Sequence, residues 1–224
     1  MIPLRDVIPS RTTPGVTISL IVLNVLVYLF GLMLSDQGRD AFLYAFGLVP
    51  AYFSLINVFT AMFVHAGIVH LAGNMLFLWI FGDNVEDRLG HGRFIAFYLM
   101  CGFAAAIAQT MLNPNSLVPM VGASGAIAGV MGAYLVLYPH SRILMLFPLP
   151  PFVFELPAVF FLVMWFLVQF LNGVNQLPIF ERNAISGGVA FWAHVTGFVA
   201  GLLLVVVMRR PERTTVEWWD HVRP

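Results

Sequence analysis

The sequence predicts an all-α, polytopic membrane protein of six transmembrane helices, and three observations carry that class. Hydrophobic residues make up 60% of the 224, charged residues only 10%, and the mean hydropathy is +0.88. A water-soluble domain does not have this composition. The apolar residues also fall into six runs, at 16–34, 69–82, 94–112, 119–138, 152–171 and 184–208. Most of these reach the ~20 residues that a helix needs to cross the hydrocarbon core. Finally, the 11 basic residues are all arginine and are unevenly distributed between the runs. With the N-terminus inside, Arg5, Arg11, Arg88, Arg93, Arg142, Arg209, Arg210, Arg213 and Arg223 lie on the inner side, and only Arg39 and Arg182 lie outside. Both termini are therefore expected in the cytoplasm. One membrane domain over 1–224 is expected, with a helical core at about 16–208 and short tails at 1–15 and 209–224.

The first run is long for a signal-peptide core and no small-x-small cleavage site follows it closely, so it is expected to remain as an anchor. The connection at 35–63 mixes Phe42, Tyr44, Phe46, Tyr52, Phe53 and Phe59 with Asp36, Arg39, Asp40 and Asn57. That mixture suits short helices lying in the outer headgroup region. The second run reaches spanning length once its flank through Asp87 is included. Cys101 is the only cysteine and lies in the third span, which excludes an intrachain disulfide and a thiolate metal cluster and leaves it a packing role. The fourth span follows the uncharged turn at 113–116 and contains Gly122-Ala-Ser124-Gly125. In the fifth, Phe152, Phe154, Phe160, Phe161, Trp165, Phe166 and Phe170 form a bulky surface facing lipid or an approaching substrate. The sixth holds Ala193-His194-Val-Thr-Gly197, with Gly201 one further turn on.

Ionisable groups within membrane spans cost several kcal/mol, so their default reading is functional. Ser124 and His194 form a nucleophile and a base. Spans two, four and six all begin on the outer side, which places Ser124 a few residues into span four. His194 lies about ten residues into span six, roughly 15 Å of helix rise from its outer end. His70 and Asn74 are one turn apart on one face of span two. All four can meet at one depth, in a cavity that external water can reach. Gly125, Gly129, Gly197 and Gly201 have the spacing of contact glycines and are expected to bring spans four and six together.

At these residues the chain resembles the rhomboid family of intramembrane serine proteases, from span one to span six. The resemblance rests on His65-Ala-Gly-Ile-Val-His70-Leu-Ala-Gly-Asn74, on Gly82-x-x-x-Glu86-x-Arg88-x-Gly90, on Gly122-Ala-Ser124-Gly125 and on Ala193-His194-x-x-Gly197-x-x-x-Gly201, in that order. It implies a Ser124–His194 dyad with no carboxylate third member, since no Asp or Glu lies near His194 in sequence. It also implies an oxyanion site made by the backbone N–H of Ser124 with His70 and Asn74. His65 would hold the outer loop, and Glu86 and Arg88 would make a structural pair or helix end on the cytoplasmic side. Transmembrane proteins would be the substrates, and the membrane would be the inner membrane of a cell.

Two positions depart from the family pattern. Ile56-Asn57 stands where many members have Trp-Arg in the first outer loop, and Ala128 stands where some place a tyrosine that stacks on the histidine. What orients His194 is thus open at the level of sequence.

Other chemistries fail residue by residue. His65 and His70 are followed by Ala66 and Leu71, so there is no His-Glu-x-x-His zinc site. Asp83 follows Ile80-Phe-Gly and has no facing aspartate in another span, as an aspartyl protease would require. Gly122-Ala-Ser-Gly-Ala126 lacks the last glycine of the soluble-hydrolase elbow. A transporter would carry ionisable residues along a pathway, where Glu155 stands almost alone. No cofactor, metal or nucleic-acid partner is expected. The non-enzymatic alternative is a rhomboid-like scaffold that binds membrane proteins, which has no need to keep Ser124, His194, His70 and Asn74 together.

Overall fold

The computed structural model describes residues 2–175 and 190–210. In chain order these form strand β1 (Ile2–Asp6), helices α1 (Gly15–Leu32), α2 (Asp36–Phe46), α3 (Leu55–Thr60), α4 (Ile68–Leu89), α5 (His91–Leu112) and α6 (Ser124–Leu137), strands β2 (Arg142–Pro148) and β3 (Pro151–Pro157), and helices α7 (Ala158–Asn175) and α8 (Phe191–Met208). Helices α1, α4, α5, α7 and α8 are long and apolar enough to cross a membrane, and α6 is a shorter apolar helix. The chain is a multi-pass membrane protein with the helical architecture its sequence predicts.

Helix α6 is the axis of the bundle. Gly125 through Tyr134 are all buried, and α4, α5, α7 and α8 pack around it. The largest enclosed side chains, Tyr98, Phe81, Phe94, Phe97 and Tyr134, make up much of the core. The 14 residues of α6 rise only ~21 Å, short of the ~30 Å hydrocarbon thickness, so a crossing at this segment would need non-helical chain as well. A membrane tolerates such chain only where its backbone is paired or lines a cavity. It is paired here. Leu48 and Met120 exchange both backbone hydrogen bonds (2.9 and 2.8 Å), and the Gly122 N–H donates to the Ala61 carbonyl (2.8 Å).

The connection expected at the headgroups folds into α2, α3 and two short 3₁₀ turns. Ser35 caps α2 by accepting from the Gly38 N–H. Asn57, of the Ile56-Asn57 pair, ties the loop together by donating to the carbonyls of Ala45 (3.0 Å) and Gly47 (2.7 Å), and Thr60 donates to Phe46 (2.7 Å).

The opposite end of the bundle carries a feature that the hydropathy reading misses. Strands β1, β2 and β3 form one antiparallel sheet in that order. Residues 2–6 of the expected tail are therefore structured. The fifth apolar run divides in two, with Phe152 and Phe154 in β3 and the spanning helix beginning at Ala158. Alternating burial in β2, with Ile143 and Met145 inward, marks the strand. Glu155 lies in β3 and pairs with Arg142 at 3.0 Å.

Arginines collect at this end. The Arg210 N–H donates to the Arg88 carbonyl (3.0 Å), Arg93 donates to the Met208 carbonyl (3.2 Å), and the Arg11 N–H donates to Asp87 (2.6 Å). Arg182, Arg213 and Arg223 of the charge argument lie outside the described residues, as does the stretch 184–189 expected to begin span six. Glu86 is fully buried and acts as a cap. Its carboxylate accepts from the N–H groups of Val16 (2.9 Å) and Thr17 (2.7 Å) at the start of α1, from the Thr17 hydroxyl, and contacts His91 Nδ1. An anionic side chain at a helix N-terminus satisfies orphan donors and complements the dipole.

Candidate active site

Ser124 is the first residue of α6, where the N–H groups of the first turn have no intrahelical acceptor. It is reached through Gly122, whose φ of +118° is open to glycine and strained for other residues. His194 lies in the first turn of the described α8, with its N–H donating to the Ala190 carbonyl. Glycines set the distance between the two helices. A Cβ added at Gly197 would lie 2.1 Å from the Gly125 carbonyl oxygen, and one at Gly201 would lie 1.9 Å from that of Gly129. A Cβ at Gly129 would meet Cys101 at 2.5 Å, which gives the lone thiol the packing role expected of it.

With the helices this close, Ser124 Oγ is 2.7 Å from His194 Nε2. His70 and Asn74 line the same cavity, of about 1350 Å³, with Gly122, Trp165 and Met131 among the other walls. Both face the turn before Ser124: a Cβ at Gly122 would sit 2.6 Å from His70 Cε1 and 3.5 Å from Asn74 Nδ2. The four residues predicted to converge do so.

His65 sits deeper in the arrangement than loop anchoring requires. Its Nε2 is 2.9 Å from Asn74 Nδ2, and its ring stands edge-on to that of His70 at 5.1 Å. Burial, followed by the neighbouring His70, pushes its imidazole down to about 4, so the ring is neutral and Nε2 accepts one proton of the Asn74 amide. The second amide proton is left for the cavity.

Two residues of α7 complete the surroundings of His194, and sequence reading did not single out either for this purpose. Gln169 Oε1 lies 2.8 Å from His194 Nδ1. Trp165, one turn earlier, packs its ring 5.8 Å from the imidazole and 6.1 Å from Phe198. Ala128, the position that lacks a stacking tyrosine, is fully buried. The available signal was a polar side chain in the otherwise apolar stretch 158–171.

Comparison with known proteins places this constellation in context. A family model described as the rhomboid domain matches residues 52–211. The mitochondrial RHOMBOID-like protein 6 of Arabidopsis thaliana is 32% identical over 67% of this chain and 44% of its own length. The rhomboid protease GluP of Bacillus subtilis is 44% identical over 35% of this chain and 15% of its own. The rhomboid protease AarA of Providencia stuartii is 26% identical over 86% of this chain and 72% of its own. The chain thus spans less than half the length of the first two of these relatives.

Proposed function

This chain belongs to the rhomboid family, and on that premise we propose that it is an intramembrane serine endopeptidase cutting peptide bonds in or beside transmembrane segments of membrane proteins. The observation that carries the reading is the 2.7 Å contact between Ser124 Oγ and His194 Nε2 in the wall of a large cavity.

In the proposed mechanism, Ser124 Oγ attacks the scissile carbonyl carbon while His194 Nε2 takes the hydroxyl proton. The carbonyl oxygen, now an oxyanion, is met by the Ser124 N–H at the start of α6, by the free amide proton of Asn74 and by His70. Losing one such donor typically costs about 2.7–4 kcal/mol. The C–N bond then breaks as His194 returns the proton to the leaving amine, and the acyl group remains on Ser124. Water entering the cavity attacks that ester while His194 takes its proton; His194 then gives that proton to Ser124 Oγ as the acyl–oxygen bond breaks, and the new carboxyl group is released as its carboxylate. Substrates are transmembrane helices that unwind locally, because an intact helix offers no accessible carbonyl. The arginine-rich end is assigned to the cytoplasm and the cavity to the opposite side, an assignment supported by the positive-inside rule.

The test is cleavage of a single-span protein in liposomes by the wild type, Ser124→Ala and His194→Ala. The wild type alone should cut. Equal activity in all three would sink the dyad, and binding of the span without cleavage by the wild type would favour the scaffold reading.

A further inference from the structure

We infer that Gln169 is a positioning residue: by accepting the His194 Nδ1 proton it holds the imidazole in the tautomer able to take a proton from Ser124, and it ties that state to the seating of α7. The inference rests on the serine-protease reading above. Neutral imidazole has one N–H and one lone pair, so a ring whose Nε2 accepts from Ser124 Oγ must carry its proton on Nδ1. Nδ1 faces Gln169 Oε1 at 2.8 Å. In the other tautomer Nε2 would carry the proton and could not serve as a base.

Gln169 differs from the other site residues in where it comes from. Ser124 and His194 sit on helices locked together through glycine contacts, whereas α7 packs on one side only. Its contacts with α8 are aromatic, through Trp165 and Phe166 on Phe198 and Phe170 on Trp192, at 5.0–6.1 Å between ring centroids. Its other side, including Val163, Met164, Leu167, Val168 and Leu171, is exposed. A shift of α7 relative to α8 would lengthen the Gln169 contact and leave the glycine-packed helices of Ser124 and His194 in place. The imidazole is therefore held in its proton-accepting orientation only while α7 is seated against α8.

Two readouts separate this from a purely structural role. Cleavage of the single-span protein gives kcat and KM, and labelling of Ser124 by a small fluorophosphonate reports nucleophile activation without a substrate helix. Gln169→Leu should lower kcat and the labelling rate together, on the order of 10- to 100-fold, the size expected when one catalytic hydrogen bond is lost. KM should stay within about twofold in a variant that changes only transition-state stabilisation. Gln169→Glu keeps the acceptor and should recover most of both rates. If Gln169→Leu does not fold, Gln169→Met and Gln169→Glu, similar in size and differing in the acceptor, decide the matter. Labelling of the Leu or Met variant at the wild-type rate would overturn the inference, as would a loss confined to KM. A wild type that neither cuts nor labels, behaving as Ser124→Ala does, would instead remove the protease reading itself.

Discussion

Gly201 of α8 faces Gly129 of α6 so closely that a Cβ at 201 would lie 1.9 Å from the Gly129 carbonyl oxygen. The atom it would meet is backbone, which cannot rotate aside as a side chain can. Gly201→Ala should therefore push the helices apart, cost about 1–3 kcal/mol as overpacking does, and lower cleavage through the Ser124–His194 distance. Gly31→Ala meets nothing within 4 Å and is the control. Thermal unfolding in detergent, run beside the cleavage assay, checks both. Unchanged activity in Gly201→Ala would separate glycine packing from the proposed dyad.

Gly122 should be sensitive for a different reason. Its φ of +118° strains any other residue, and a Cβ there would enter the His70 ring. Gly122→Ala is expected to cut turnover on the order of 100-fold, the scale of a 1 Å misplacement near the chemistry. Folding should be much less affected, measured as the unfolding midpoint.

Glu86 should show the opposite pattern. Glu86→Ala strands the donors of Val16 and Thr17 at the start of α1 and should destabilise the protein by about 1–3 kcal/mol per buried group left unsatisfied. Activity per folded molecule should be retained, because Glu86 lies at the far end of α4 from His70 and Asn74. A variant as stable as wild type would exclude the capping role.

Asp6 gives the sheet a pH dependence. Its carboxyl accepts from Tyr134 (2.6 Å) and Asn84 (2.9 Å), and burial, with Asp83 adding like charge, pushes it up to about 7. A carboxyl raised above its unfolded value contributes stability that is present in full at acid pH and is lost as pH rises through about 7. The protection of the amides in residues 2–6, measured by hydrogen exchange relative to their intrinsic base-catalysed rates, should be lower at pH 8 than at pH 6. Asp6→Asn keeps the acceptor and should abolish the difference.

Much of the fold was legible in the sequence because hydropathy acts locally, run by run. The proposed site was legible for a related reason: polar residues inside apolar spans are few, and His70 and Asn74 declare a shared face by their spacing. The sheet was not, because β1 finds its partner at Arg142–Pro148, far along the chain. A continuous apolar run also reads equally as buried strand or helix, so β3 was absorbed into span five. Gln169 escaped notice because its meaning depends on α7 lying against α8, a tertiary fact that no pattern within 152–171 contains.

The sheet also makes a fulcrum. Strand β3 passes directly into α7 at Pro157, and β2 binds β3 to the strand that precedes α1. One end of α7 is thus bolted to the base of the bundle. Gln169 lies twelve positions beyond the bolt, ~18 Å along the helix axis. A tilt of about 5° about that pivot would carry Gln169 ~1.6 Å, enough to break a 2.8 Å hydrogen bond while His194 stays in place. The helix has the geometry of a lever, with Pro157 at its pivot and Gln169 at the end that faces His194.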